Sequence, residues 1–205
     1  MAGAFIGLGN WQLDRAQELK ASTKTVVTVT EPVQLTSLAK PRVTIDSRNF
    51  LKNVSTEGNY IATFKSDNQS SDGVAATAWE VGVLQVDPKS AILVVRGLWA
   101  DRLTEPQIAM SQKVSVTGVL QPSQSSDRGP NSTDNLARVD STLLLTRPGL
   151  ADFDLYDGFI LANTEVVDGT KIARTRLEIA VDNSKVPGYY WQHISYVFIW
   201  WLMAA

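Results

Sequence analysis

A chain of 205 residues with 20% charged side chains and a formal net charge of -2 is long enough for one buried core. It is too evenly balanced for a nucleic-acid binder, which shows a basic excess. The absence of cysteine excludes disulfides, thiolate metal sites and cysteine nucleophiles.

The chain starts apolar, Met1 to Leu8, and runs into Gly9-Asn10-Trp11-Gln12-Leu13-Asp14-Arg15. Good helix formers from Leu13 to Lys20 predict a helix over 9–22. Lys24 to Thr30 is β-branched and strand-like, and Pro32 ends it. Arg42 to Asp46 alternates weakly. Asn53 to Asn59 carries turn residues, with Gly58-Asn59 as the expected tip. Tyr60 to Phe64 is a short apolar strand, and Ser66 to Gly73 a polar loop.

Val74 to Val86 predicts a strand, closed by a hairpin at Asp87-Pro88-Lys89-Ser90 onto Ala91 to Trp99. That second run is the most apolar internal segment and the expected central strand. Thr104 to Met110 suggests a turn or two of helix. Lys113 to Leu120 alternates, with Val114, Val116 and Gly118 on one face. Gln121 to Asn135 is loop-like in composition. Strands are expected at Val139 to Thr146, Phe159 to Asn163 and Lys171 to Val181, with a hairpin turn at Asp168-Gly169. The fold class is therefore mainly β: one compact antiparallel domain, barrel-like or sandwiched.

The last nineteen residues, Pro187 to Ala205, pass from a Pro-Gly turn through Tyr189, Tyr190 and Trp191 to His193, the single histidine, and an apolar run. On a helix, Tyr189, His193, Tyr196 and Trp200 share a stripe. A spanning helix needs about 20 apolar residues, more than Met1 to Leu8 or Ile194 to Ala205 supplies. Both runs reach a chain terminus while still apolar. Two transmembrane helices truncated by the ends of this chain are therefore expected, with short interfacial segments as the alternative. The aromatic cluster lies where an interfacial belt would lie. The expected division is 1–22 for the end of the first transmembrane helix, 23–186 for a β domain and 187–205 for the start of the second.

Catalytic templates run short of residues. A Ser-His-Asp triad would have to recruit His193, and one imidazole with carboxylates is an unusual zinc site. Asp152, Asp154 and Asp157 lack the glycine and glutamate spacing of a calcium loop. No enzyme is expected. A neutral imidazole beside flat aromatic side chains suits a haem iron in one axial position. The alternative for His193 is a hydrogen bond to a lipid headgroup or a neighbouring subunit. Trp11, Gln12 and Arg15 lie within about one helical turn. Arg15 offers a planar fork for a carboxylate, such as a haem propionate or an acidic partner residue, or serves as an ordinary surface anchor.

The two ends resemble the signatures of the Surfeit locus protein 1 family, assembly factors for cytochrome c oxidase. The first is Gly9-x-Trp11-Gln12-x-x-Arg15. The second is His193-x-x-Tyr196-x-x-x-Trp200. Val94-Val95-Arg96-Gly97-Leu98-Trp99 is similar to an internal family segment with Leu98 inserted. Gln192 and Ile199 stand where the family more often has asparagine and threonine. The resemblance implies two spanning helices flanking a β domain on the extracytoplasmic or intermembrane-space side. The membrane would be the bacterial plasma membrane or the mitochondrial inner membrane. It also implies a transient haem a chaperone acting on oxidase subunits, subunit I first among them, with the lipid bilayer as surroundings and no nucleic acid. His193 is then the position of the proposed haem-iron ligand. Trp11, Gln12, Arg15, Tyr196 and Trp200 would line the groove between the helices. A resident subunit of a respiratory supercomplex that binds no haem is the alternative.

Overall fold

A computed structural model describes residues 5–14, 31–71, 74–103, 112–177 and 186–204. The expected strand at Lys24 to Thr30 and the helical turn at Thr104 to Met110 lie outside the described residues. Contacts divide the chain into two units, Met1–Thr28 with Ala180–Ala205, and Val29–Ile179.

The larger unit is mainly β. Its strands are β1 (Val33–Gln34), β2 (Asn53–Ser71), β3 (Val74–Gln85), β4 (Ser90–Leu98), β5 (Lys113–Gln121), β6 (Asp154–Val167) and β7 (Thr170–Lys171). They form a single seven-stranded sheet rather than two packed ones. The pairings run β2–β3–β4–β6–β5, and β5 pairs again with β2. The sheet is not wholly antiparallel, as the sequence had suggested. β4 runs parallel to β6, and β1 parallel to β2. The long connection 122–153 leaves the end of β5 and returns at that same end into its antiparallel neighbour β6, which on its other side runs parallel to β4.

β4 is buried on both faces. Ala91, Leu93 and Val95 join one core cluster, and Ile92 and Val94 join another with Tyr60, Leu84, Val116 and Ile160. This explains why β4 is the most apolar run in the chain. The first cluster is completed from the 122–153 connection by Leu136, Val139, Leu144 and Leu150.

Three local expectations are corrected. Residues 53–59 do not form a turn: they open β2 and pair with 113–119. Val54, Thr56, Gly58 and Tyr60 alternate inward, a period-two pattern concealed because half its members are small or polar. Residues 66–71 are strand rather than loop, paired irregularly with β3 through two register shifts. Residues 139–146 are not a strand. Asp140 accepts a hydrogen bond from the Thr142 amide at 3.0 Å and starts a short 3-10 helix, Ser141–Leu144. The expected strand from Lys171 stops at that residue, and 172–177 continue without strand pairing. The hairpin turn forms as expected, with Asp168 and Gly169 both at positive φ.

The smaller unit contains helix α1 over the described residues 5–14 and helix α3 (Val186–Ala204); α2 is the single turn Leu35–Leu38 of the β unit. Among the described residues no helix is long and apolar enough to cross a membrane.

Candidate functional site

α1 and α3 pack against each other. Phe5 stacks on Trp200 with ring centroids 5.9 Å apart, and Gln12 Oε1 lies 2.5 Å from His193 Nδ1. The two contacts are seven residues apart on each helix and run in opposite senses, so the helices are antiparallel over about 10 Å. Between them sits Gly9, buried, where a Cβ would overlap the Trp201 indole. Small residues at such crossings let helices approach closely. Phe5, Gly9 and Gln12 follow the i, i+4, i+7 spacing of one helix face. The facing residues of α3 include His193 and Trp200, and Val197 is 3% exposed.

Gly9→Leu is therefore expected to separate the helices. Because the chain has no cysteine, a Phe5→Cys/Trp200→Cys pair would be its only thiols. Bifunctional maleimide should cross-link that pair efficiently, and adding Gly9→Leu should remove most of the yield. Unchanged yield would contradict this packing.

An amide oxygen only accepts, so in the His193–Gln12 contact Nδ1 is the donor, and in the neutral ring Nε2 then carries the lone pair. Both side chains are half-buried. Of the other sequence-derived residues, Trp200 is partly buried against Phe5, whereas Trp11 and Tyr196 are exposed. Arg15 lies outside the described residues, as do the side chains of Tyr189, Tyr190 and Trp191. The structure thus brings Gln12, His193 and Trp200 into the helix contact and leaves Trp11 and Tyr196 on the outside of their helices.

Nine large apolar side chains of α1 and α3 are exposed, including Phe198 (67%) and Leu202 (79%), against three in the described β unit. Folded soluble surfaces rarely concentrate apolar side chains this way, and a contiguous patch marks a membrane or protein contact.

The β unit holds a second cluster that the sequence did not reveal. Arg96 is 3% exposed and Glu80 and Glu165 are at most 1% exposed. Arg96 donates through Nε to Glu165 at 2.7 Å and through Nη1 to Glu80 at 3.2 Å. Its guanidinium lies 4.0 Å over the Tyr60 ring, and the Tyr60 hydroxyl donates to Glu165 at 2.7 Å. Arg174 pairs with Glu80, and Arg176 with Glu165 at 2.8 Å. Four strands and the 172–177 segment therefore meet at one point. The register shift opposite Glu80 and Val81 leaves Arg96 as the extra residue of a bulge. Next to it Gly97, at φ 150°, admits the Thr175 carbonyl 2.7 Å from where a Cβ would stand.

Burial alone would raise the Glu165 carboxyl. The Arg96 charge and hydrogen bonds from Tyr60 and Arg176 outweigh it and hold that carboxyl below the usual range. Burial, with the Glu165 charge beside it, pushes the Tyr60 phenol well up, so it stays a donor. A depressed carboxyl contributes stability in full above its unfolded pKa, about 4.3 for glutamate. That stability is lost as pH falls through the folded value. Wild-type protein should lose urea resistance below about pH 4, and Glu165→Gln should lower the neutral-pH midpoint while flattening that acid slope. Parallel pH profiles would contradict the assignment.

These features define a β-domain protein with an antiparallel pair of apolar helices at its chain ends and one imidazole at their contact. A family model described as the SURF1 family matches residues 1–205, and the chain belongs to that family. The family is known for cytochrome c oxidase assembly. A search of curated proteins finds no match.

Proposed function

We propose that this chain is a membrane-anchored assembly factor that holds haem a at the α1–α3 contact and passes it to oxidase subunit I. The observation that carries the proposal is the His193 imidazole. Its Nδ1 is committed to Gln12, and its Nε2 is left with a lone pair on a helix pair rich in exposed apolar and aromatic side chains. This donor set fits a haem iron: His193 would hold the group through Nε2, and bound haem would supply a coordination site for that nitrogen. A single imidazole suits a carrier, because one protein ligand would hold the group without committing it. The family's association with haem a handling adds support.

The exposed apolar side chains of α1 and α3 are read as lipid-facing, each helix being the described part of a spanning segment. Trp11 and Tyr196 would meet lipid headgroups or the haem edge from outside the helix contact, and Arg15 a propionate or the membrane surface. The membrane is the bacterial plasma membrane or mitochondrial inner membrane, with the β domain on the extracytoplasmic or intermembrane-space side. The chain performs no catalysis in this account: its residues bind, orient and release.

The exposed apolar helix surface equally suits docking on another protein's spanning helix, which favours a second reading as a resident non-haem subunit of a respiratory supercomplex. The two part on stoichiometry. A transient factor is absent from mature oxidase, and deleting it lowers the haem a content of subunit I. A resident subunit is retained one-to-one, and its deletion leaves that haem in place. Purified oxidase from deletion and complemented cells, assayed for this chain and for haem a, decides between them.

A further inference from the structure

We propose that Gln12 is a positioning residue for His193: by accepting the Nδ1 proton it fixes the imidazole tautomer and turns Nε2 outward as the coordinating atom. The inference deepens the haem reading above and rests on it for its functional meaning. Its structural part stands on the side-chain contact alone.

Neutral histidine has two tautomers, and only the nitrogen without the proton can bind a metal. In solution the Nε2–H form is favoured, which leaves the wrong atom free for this arrangement. The Gln12 carboxamide oxygen, 2.5 Å from Nδ1, stabilises the other form. Within a half-buried helix contact that hydrogen bond is electrostatically stronger than in water. It also restrains rotation of the ring, since a ring flip would present a C–H to the oxygen. Second partners of this kind raise ligand basicity and are worth about 10- to 100-fold in metal affinity. Gln12 reaches the ring because Gly9, one turn earlier, allows the helices to close. Gln12 and His193, 181 residues apart in the chain, are thus each incomplete without the other.

Because His193 is the only histidine, labelling the full chain with 15N-histidine gives ring signals from this residue alone. At about pH 8, where an ordinary imidazole is neutral, apo protein in detergent should show a protonated Nδ1 and an unprotonated Nε2. Gln12→Leu should shift the signals toward the Nε2–H form. Gln12→Glu, which keeps an acceptor at the same reach, should restore the wild-type pattern. In parallel, haem a titrated into the same samples should bind about tenfold more weakly to Gln12→Leu than to wild type, and near normally to Gln12→Glu. Wild-type tautomer signals in Gln12→Leu would overturn the inference, whatever the haem result. A tautomer that follows Gln12 in a protein that takes up no haem a would uphold the positioning of the ring and remove both the carrier reading and the coordinating role of Nε2.

Discussion

Arg96→Ala is expected to destabilise the β unit by about 3–5 kcal/mol, the range for breaking a buried ion pair from one side. In a chain of this size that is a fall in midpoint temperature of roughly 10 °C. The variant leaves Glu80 and Glu165, both essentially without solvent contact, with Arg174 and Arg176 as their remaining cations. Those two arginines keep the loss from growing larger, and the missing guanidinium also uncovers the Tyr60 ring. Arg96→Lys should recover only part of the loss, since an ammonium cannot supply the Nε and Nη1 donors at two separate carboxylates. The exposed Asp46–Arg48 pair is the control: Arg48→Ala should leave the midpoint unmoved, because solvent and salt already screen that contact. Urea denaturation of all three variants checks the set. An Arg96→Ala midpoint equal to wild type would show that the cluster holds nothing together.

Strands β3, β4 and β5 were legible in the sequence because their apolar residues either alternate or run unbroken between clear turns. The Asp168-Gly169 hairpin was legible from its turn chemistry. β2 was legible only at 60–64. Its flanks carry Asn, Ser, Gly and Gln, which read as loop residues until Tyr60, Leu84 and Val116 are seen to need an inner face. The strand expected at 139–146 failed for the opposite reason. Val139 and Leu144 are apolar because they plug the first core cluster, and neither pairs with a neighbouring strand.

The charge cluster left a faint trace: a lone arginine inside Ala91 to Trp99, and a glutamate in the apolar run Trp79 to Leu84. Its meaning depends on partners as far apart as Glu80 and Arg174, and no local pattern supplies those. The helix contact was legible through family resemblance, which put Gln12 and His193 near the same crevice. Composition alone gave no reason to pair them. The stripe drawn through Tyr196 differs from the observed contact by one position, because Val197 is the buried residue and Tyr196 is exposed.

His193→Ala is the second large effect and the most direct probe of the carrier account. The substitution removes the only imidazole in the chain and leaves the Phe5–Trp200 stacking and the Gly9–Trp201 approach in place. The helix pair should therefore persist, as an unchanged far-ultraviolet circular dichroism spectrum of His193→Ala would report. Only the residue that would hold the iron is lost, and no other histidine or cysteine is present to substitute. The deciding measurement is the absorption spectrum of full-length protein purified from membranes of cells that make haem a. The account predicts a haem spectrum in the wild type that is absent or shifted in His193→Ala at equal protein yield. Equal haem content and an unchanged spectrum in the two proteins would contradict it.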